Sequence, residues 1–142
     1  MNTTKKLTIV ALCCFVMTTL IGCGIKKENT PQGVVEYSIY CLNNHDFEGF
    51  LDCYDWRWTT GYDRKEVKLK DLQKKEEDGK FKNLKMGSTI VDDQIQEFTQ
   101  QRIIKVNVTN TETNVKRTVE FHLTDVDGEW KIVRNTGLWI YI

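Results

Sequence analysis

A change of hydrophobic period near Ser88 constrains this chain most: apolar residues recur at helical spacing before it and at every second residue after it. Before it, Thr30-Pro31 reads as a helix start, with threonine as N-cap and proline in the first turn. Val34, Val35, Ile39, Cys41 and Leu42 follow at helical spacing, which predicts a first helix over 31–43. Asn43 to Asp46 reads as a turn that contains His45 and ends on Asp46 as the next cap. Phe47, Phe50, Leu51 and Tyr54 then recur at i, i+3, i+4 and i+7 and predict a second helix over 47–54. Asp63-Arg64-Lys65-Glu66 has a capping-box pattern and opens a third helix closing near Gly79. Only Val67, Leu69 and Leu72 give that helix an apolar edge, so its lysines and glutamates read as a solvated face.

After Ser88, Ile104, Val106 and Val108 alternate with polar residues, as do Val119, Phe121 and Leu123, and Trp130 with Ile132 begins a third such run. Asn110 to Asn114 and Asp127-Gly128 mark the turns, the latter a two-residue hairpin signal. A further strand over 89–98 makes four, and 138–142 is expected to extend the sheet. A helical half followed by a meander is an α+β fold, with helices packed on one face of an antiparallel sheet.

The first 22 residues belong to neither half. Lys5 and Lys6 precede an apolar run from Leu7 to Ile21, about the length of a signal-peptide core and short for a membrane span. Leu20-Ile21-Gly22-Cys23 closes it and resembles the bacterial lipobox at all four positions. That resemblance implies a signal peptide over 1–22, diacylglyceryl transfer to the Cys23 thiol and cleavage before it. The mature protein would then be held in a membrane through lipid on Cys23, at the extracytoplasmic face. Two or more acyl chains give the stable anchoring that one cannot. The alternatives are a secretory signal with a coincidental cysteine and an uncleaved anchor. Residues 24–30, GIKKENT, are polar and without period, so 23–30 reads as a lipidated tether and 31–142 as one domain.

Twenty basic residues balance twenty acidic ones, and removing 1–22 takes two lysines and no acid, so nothing points to nucleic acid. Of five cysteines, Cys13 and Cys14 leave with the signal and Cys23 takes the lipid. Cys41 and Cys53 remain as an even pair, either bridged in an oxidising compartment or buried as free thiols.

The capped Thr-Pro helix, the Asn-His-Asp-Phe step and the meander ending Asp127-Gly128-Glu129-Trp130-Lys131-Ile132-Val133 together resemble the nuclear transport factor 2-like superfamily over nearly all of 31–142. The resemblance implies a strongly curved sheet wrapped on the helices as a cone, often with a pocket at its open end. It also implies one of several roles: binding a small ligand, binding an envelope protein partner, or acting as an isomerase or cyclase of the ketosteroid isomerase and polyketide cyclase type. Homodimers through the sheet are common in that superfamily.

Chemistry of the isomerase type needs a tuned acid facing hydroxyl donors in a dry interior. Tyr37, Tyr40, Tyr54, Asp55 and His122 are the raw materials, and no spacing selects a catalytic set among them. The residues imply no cofactor. Asp125 to Glu129 lacks the spacing of a calcium loop and reads as a hairpin turn, and two histidines without close partners give no zinc signature. The aromatic run Tyr54, Trp56, Trp58 and Tyr62, interrupted by Arg57, is the candidate ligand or partner surface, since Trp, Tyr and Arg give large contact area. The competing reading places these rings in the core where the second helix meets the sheet.

Overall fold

A computed structural model describes residues 24–57, 60–82, 85–111 and 113–138. The expected signal segment, Cys23, Trp58 and the sheet extension over 139–142 lie outside the described residues. The helices are α1 (Pro31–Asn43), α2 (Phe47–Asp52) and α3 (Lys65–Glu77), with a 3₁₀ turn at Gly61–Asp63 between the last two. The strands are β1 (Met86–Gln96), β2 (Gln101–Asn110), β3 (Lys116–Val126) and β4 (Glu129–Thr136), paired antiparallel in that order as a meander. The fold is α+β, with the helices on one face of a curved four-stranded sheet. Two register shifts, at Val91 on β1 and at Val133 on β4 opposite His122 and Leu123, supply bends.

Local chemistry sets the element ends. Thr30 Oγ1 accepts from the Gly33 amide at 3.0 Å, with Pro31 following in the first turn, and Asp46 Oδ1 accepts from the Gly49 amide at 2.9 Å. Each cap satisfies an otherwise orphaned helix N–H. Asp127 and Gly128 both take positive φ (54° and 86°), as the expected two-residue hairpin requires, and Asp125 Oδ1 accepts from the Gly128 amide at 2.7 Å.

Three boundaries differ from expectation. The second helix stops at Asp52 because residues 53–55 leave it to run beside β4. There the Ile132 amide donates to the Cys53 carbonyl at 2.8 Å and the Asp55 amide to the Ile132 carbonyl at 2.9 Å. The third helix starts after Arg64, which makes no side-chain cap bond, and Asp63 lies in the 3₁₀ turn. The first strand starts early, at Met86, because Asn43 at the end of α1 fixes it there: Asn43 Nδ2 donates to the Met86 carbonyl (2.7 Å) and Oδ1 accepts from its amide (2.8 Å).

The core lies between α1, α2 and one sheet face. Val34, Val35 and Leu42 of α1 and Phe50 and Leu51 of α2 are fully buried against Ile104, Val106, Val108, Val119, Phe121, Leu123 and Ile132. Around α3, Leu72 is the buried residue of the helix itself, and Phe81 beyond its end packs tilted against Phe47 with centroids 4.9 Å apart. The other sheet face is polar, with Lys105 to Glu120 at 3.4 Å and Thr118 Oγ1 to Asn107 at 2.9 Å. His122 falls on this polar face as its alternation implies, yet is buried, flanked across the strands by Ile103 and Arg134.

Residues 24–29, read from sequence as a tether, are laid back along α1. Glu28 lies over Gly33, where a Cβ would meet its own Cβ at 2.7 Å, and Ile25 reaches the groove beside Glu36, Tyr40 and Asn43. Asn29 clamps the β3–β4 hairpin, donating to the Gly128 carbonyl at 2.8 Å and accepting from the Trp130 amide at 3.0 Å.

Candidate functional site

The aromatic segment divides in two. Tyr54 is buried, edge-on to Phe50 (centroids 5.2 Å, planes at 68°), and 5.8 Å from the half-buried Trp56, whose Nε1 donates to the Leu51 carbonyl at 2.7 Å. Both rings pack against the core. Tyr62 is 88% exposed on the 3₁₀ turn, beside a shallow depression of about 280 Å³ with Val67, Lys68 and Asp71. Tyr54 and Trp56 are thus brought together, and Tyr62 stands on a different surface.

Sequence reasoning missed Asn135. It faces Phe121 across the ladder, in the inward phase of β4, and its Nδ2 donates to Tyr54 Oη at 2.5 Å. Its Oδ1 is buried without a partner. Burial drives the Tyr54 hydroxyl far above its ordinary pKa, so it remains a neutral phenol. The only available signal was a polar residue at an apolar phase, in a strand whose phase depends on a bulge.

The other raw materials are dispersed. Asp55 is held in the fork of Arg57, with Oδ1 to Nε at 2.9 Å and Oδ2 to Nη2 at 3.0 Å, and this bond holds its carboxyl below the usual range. A carboxylate so held is ionised and not poised as a general base. The half-buried Asp93 accepts from both Arg102 Nε (2.9 Å) and Nη2 (2.6 Å), and from Gln32 of α1. Among the described residues, the buried polar side chains are Ser38 and His122, and no buried carboxyl faces a tyrosine. Tyr37 and Tyr40 stack on each other on α1, 6.2 Å apart. His45 sits in the α1–α2 turn at φ 56° and contacts Glu76 at 2.6 Å.

Cys41 and Cys53 are free thiols here, both fully buried around Gly49. Cys53 Sγ donates to the Gly49 carbonyl at 3.4 Å, Cys41 Sγ lies 3.7 Å from Asp46 Oδ2, and a Cβ on Gly49 would meet that sulfur at 2.9 Å. Desolvation pushes Cys41 up to about 11 and Cys53 to about 12.

Two surfaces remain. A groove of about 330 Å³ between α1 and β1 is lined by Ile25, Ile39, Tyr40, Asn43, Met86 and Ser88 with Glu36. At the opposite end of the sheet the β1–β2 hairpin exposes Phe98 completely and Ile95 by 60%. Acids lie near that tip: Glu97 on its own hairpin, Asp125, Asp127 and Glu129 on the neighbouring one. The tip is thus a single exposed apolar ring with acids around it.

Among the described residues no cluster of His, Cys, Asp or Glu could hold a metal ion, and no helix is long and apolar enough to cross a membrane. Comparison with protein-family models, with curated proteins and with solved structures gives no match, so the functional reading rests on this chain's own residues.

Proposed function

We propose that this chain is an extracytoplasmic lipoprotein, with residues 1–22 as signal peptide and Cys23 as the lipidated residue, whose nuclear transport factor 2-like domain binds a protein of the cell envelope. The lipobox at Leu20 to Cys23 supports the address, and the order of helices and meander supports the family. The observation that carries the partner reading is the pairing of a sheet face occupied by its own core with an exposed Phe98 tip at the far end. The aromatic run contributes core rings in Tyr54 and Trp56, which leaves the hairpin tip as the better contact surface.

A photo-crosslinking amino acid at position 98 in the host tests this, with position 62 as the exposed comparison. A discrete adduct from 98 and not from 62 is expected, lost when Ile95→Ser is added. Equal adducts from both positions, or none from either, would overturn the contact, and an adduct of twice the chain's mass would replace the partner by a homodimer. In the same cells Cys23→Ala should leave the protein unprocessed or released from membranes; unchanged detergent partitioning would defeat the lipoprotein assignment.

One observation favours a second reading. The unmet Asn135 Oδ1 beside Tyr54 Oη is a donor-seeking group in an apolar interior, which suits a small ligand with one hydroxyl or amide. A mass increment on the native protein that vanishes on denaturation would support it. The isomerase or cyclase alternative needs a tuned carboxyl facing that pair, and Asp55 and Asp93 are both committed to arginines.

A further inference from the structure

The docking of residues 24–29 along α1 fixes where the chain's anchor emerges. Asn29 is pinned to the β3–β4 hairpin, Glu28 lies over Gly33, and Ile25 and Gly24 reach Tyr40, within 3.5 Å of its hydroxyl for a Cβ on Gly24. Gly24 therefore lies beside Tyr40, and Ile25 beside Asn43 and Met86. This is the end of the sheet where Met86 pairs with Asn110 and the β2–β3 turn projects.

Charge is distributed along the same axis. The anchor end of the sheet carries Lys85, Lys116 and Arg117. The other half carries Asp92, Asp93, Glu97, Asp125, Asp127 and Glu129, with Arg102, Lys131 and Arg134 as the bases among them. The loop from α3 into β1 adds Lys80 and Lys82 to the basic end, because Phe81 between them packs under His45 and Phe47. Lys80, Lys82, Lys85 and Lys116 are exposed and make no ion pair with a described residue. The acids nearby are Glu76, held by His45, with Glu77 and Asp78 at the close of α3.

Resting on the lipid-anchored reading above, we infer that this basic end is a membrane-facing surface that meets anionic lipid headgroups, so the domain stands with its acidic hairpins away from the bilayer. Headgroup phosphates within a Debye length of four exposed lysines attract them, and the acidic pole is repelled by the same surface. The tether and the charge axis point the same way.

The test uses the full processed protein reconstituted in vesicles of phosphatidylcholine alone or with phosphatidylglycerol. A fluorophore goes on a cysteine at Thr113 or at Asp127, with buried Cys41 and Cys53 left unlabelled, and a headgroup quencher reports proximity. Quenching at 113 several-fold above that at 127 is expected. It should be greater with phosphatidylglycerol and reduced by Lys85→Glu with Lys116→Glu, while vesicle retention stays unchanged. Equal quenching at both positions, or quenching at 113 indifferent to lipid charge and to the reversals, would overturn the inference. Failure of the protein to stay with vesicles would instead defeat the lipid-anchored reading. Circular dichroism of the reversal variant separates misfolding from a lost contact, and Lys80→Glu with Lys82→Glu serves as the second variant.

Discussion

At the scale of single residues, the two thiols make the sharpest statement. Their raised pKa values mean that folding stabilises the neutral form, a contribution present below the ordinary value of 9.0 and lost as pH rises toward about 11 to 12. We expect the native protein at pH 9 to resist iodoacetamide at both positions while the unfolded chain is fully alkylated, as read by mass. Between pH 9 and 11 the melting temperature should fall less in a Cys41→Ala, Cys53→Ala variant than in the parent. Rapid native labelling would mean that the pocket around Gly49 opens readily. The Thr30 and Asp46 caps and the Asp127-Gly128 turn were legible because each is a local rule, decided within four residues of chain. Asn135 and the burial of His122 were not, since both depend on the bulge at Val133 opposite His122 and Leu123, which shifts the phase of β4 and leaves no mark in composition.

At the scale of elements, side chains at the ends of α1 hold the helix to the sheet. Asn43 supplies both partners of the Met86 backbone, and Gln32 and Asn29 reach Asp93 and the β3–β4 turn at the other end. Asn43→Ala leaves a buried residue's amide and carbonyl unpartnered on that side, at a cost of about 1–3 kcal/mol. The expected result is a lower urea midpoint with an unchanged slope; a shift below about 0.5 kcal/mol would show that water replaces the clamp. Helix α2 was read two residues too long because Tyr54 keeps the apolar period while its backbone has already turned to follow β4. Periodicity reports which side chains are buried and not what backbone carries them, so Tyr54 satisfied the pattern from outside the helix.

At the scale of the whole molecule, the α+β division and the four-stranded meander were legible because a change of hydrophobic period persists over many residues. The docking of residues 24–29 was not, because GIKKENT has no period and its contacts are made by Asn29, Glu28 and Ile25 with elements far along the chain. Asn29→Ala should free this segment, with trypsin cleaving faster after Lys26 and Lys27 and the melting temperature nearly unchanged, since its partners at the hairpin reach water. Unaltered cleavage would place the hold elsewhere, at Glu28 over Gly33.

A docked segment is a post where a loose one would be a leash. Seven free residues would let the domain wander over about 15 Å. On the lipid-anchored reading proposed above, the same stretch laid along α1 consumes its slack, and the 11 residues of β1 from Met86 set a stand-off of about 35 Å between the anchor end and the Phe98 tip. A partner must then come to that height, and flexible residues inserted ahead of Gly24 would restore the slack that the docked segment removes.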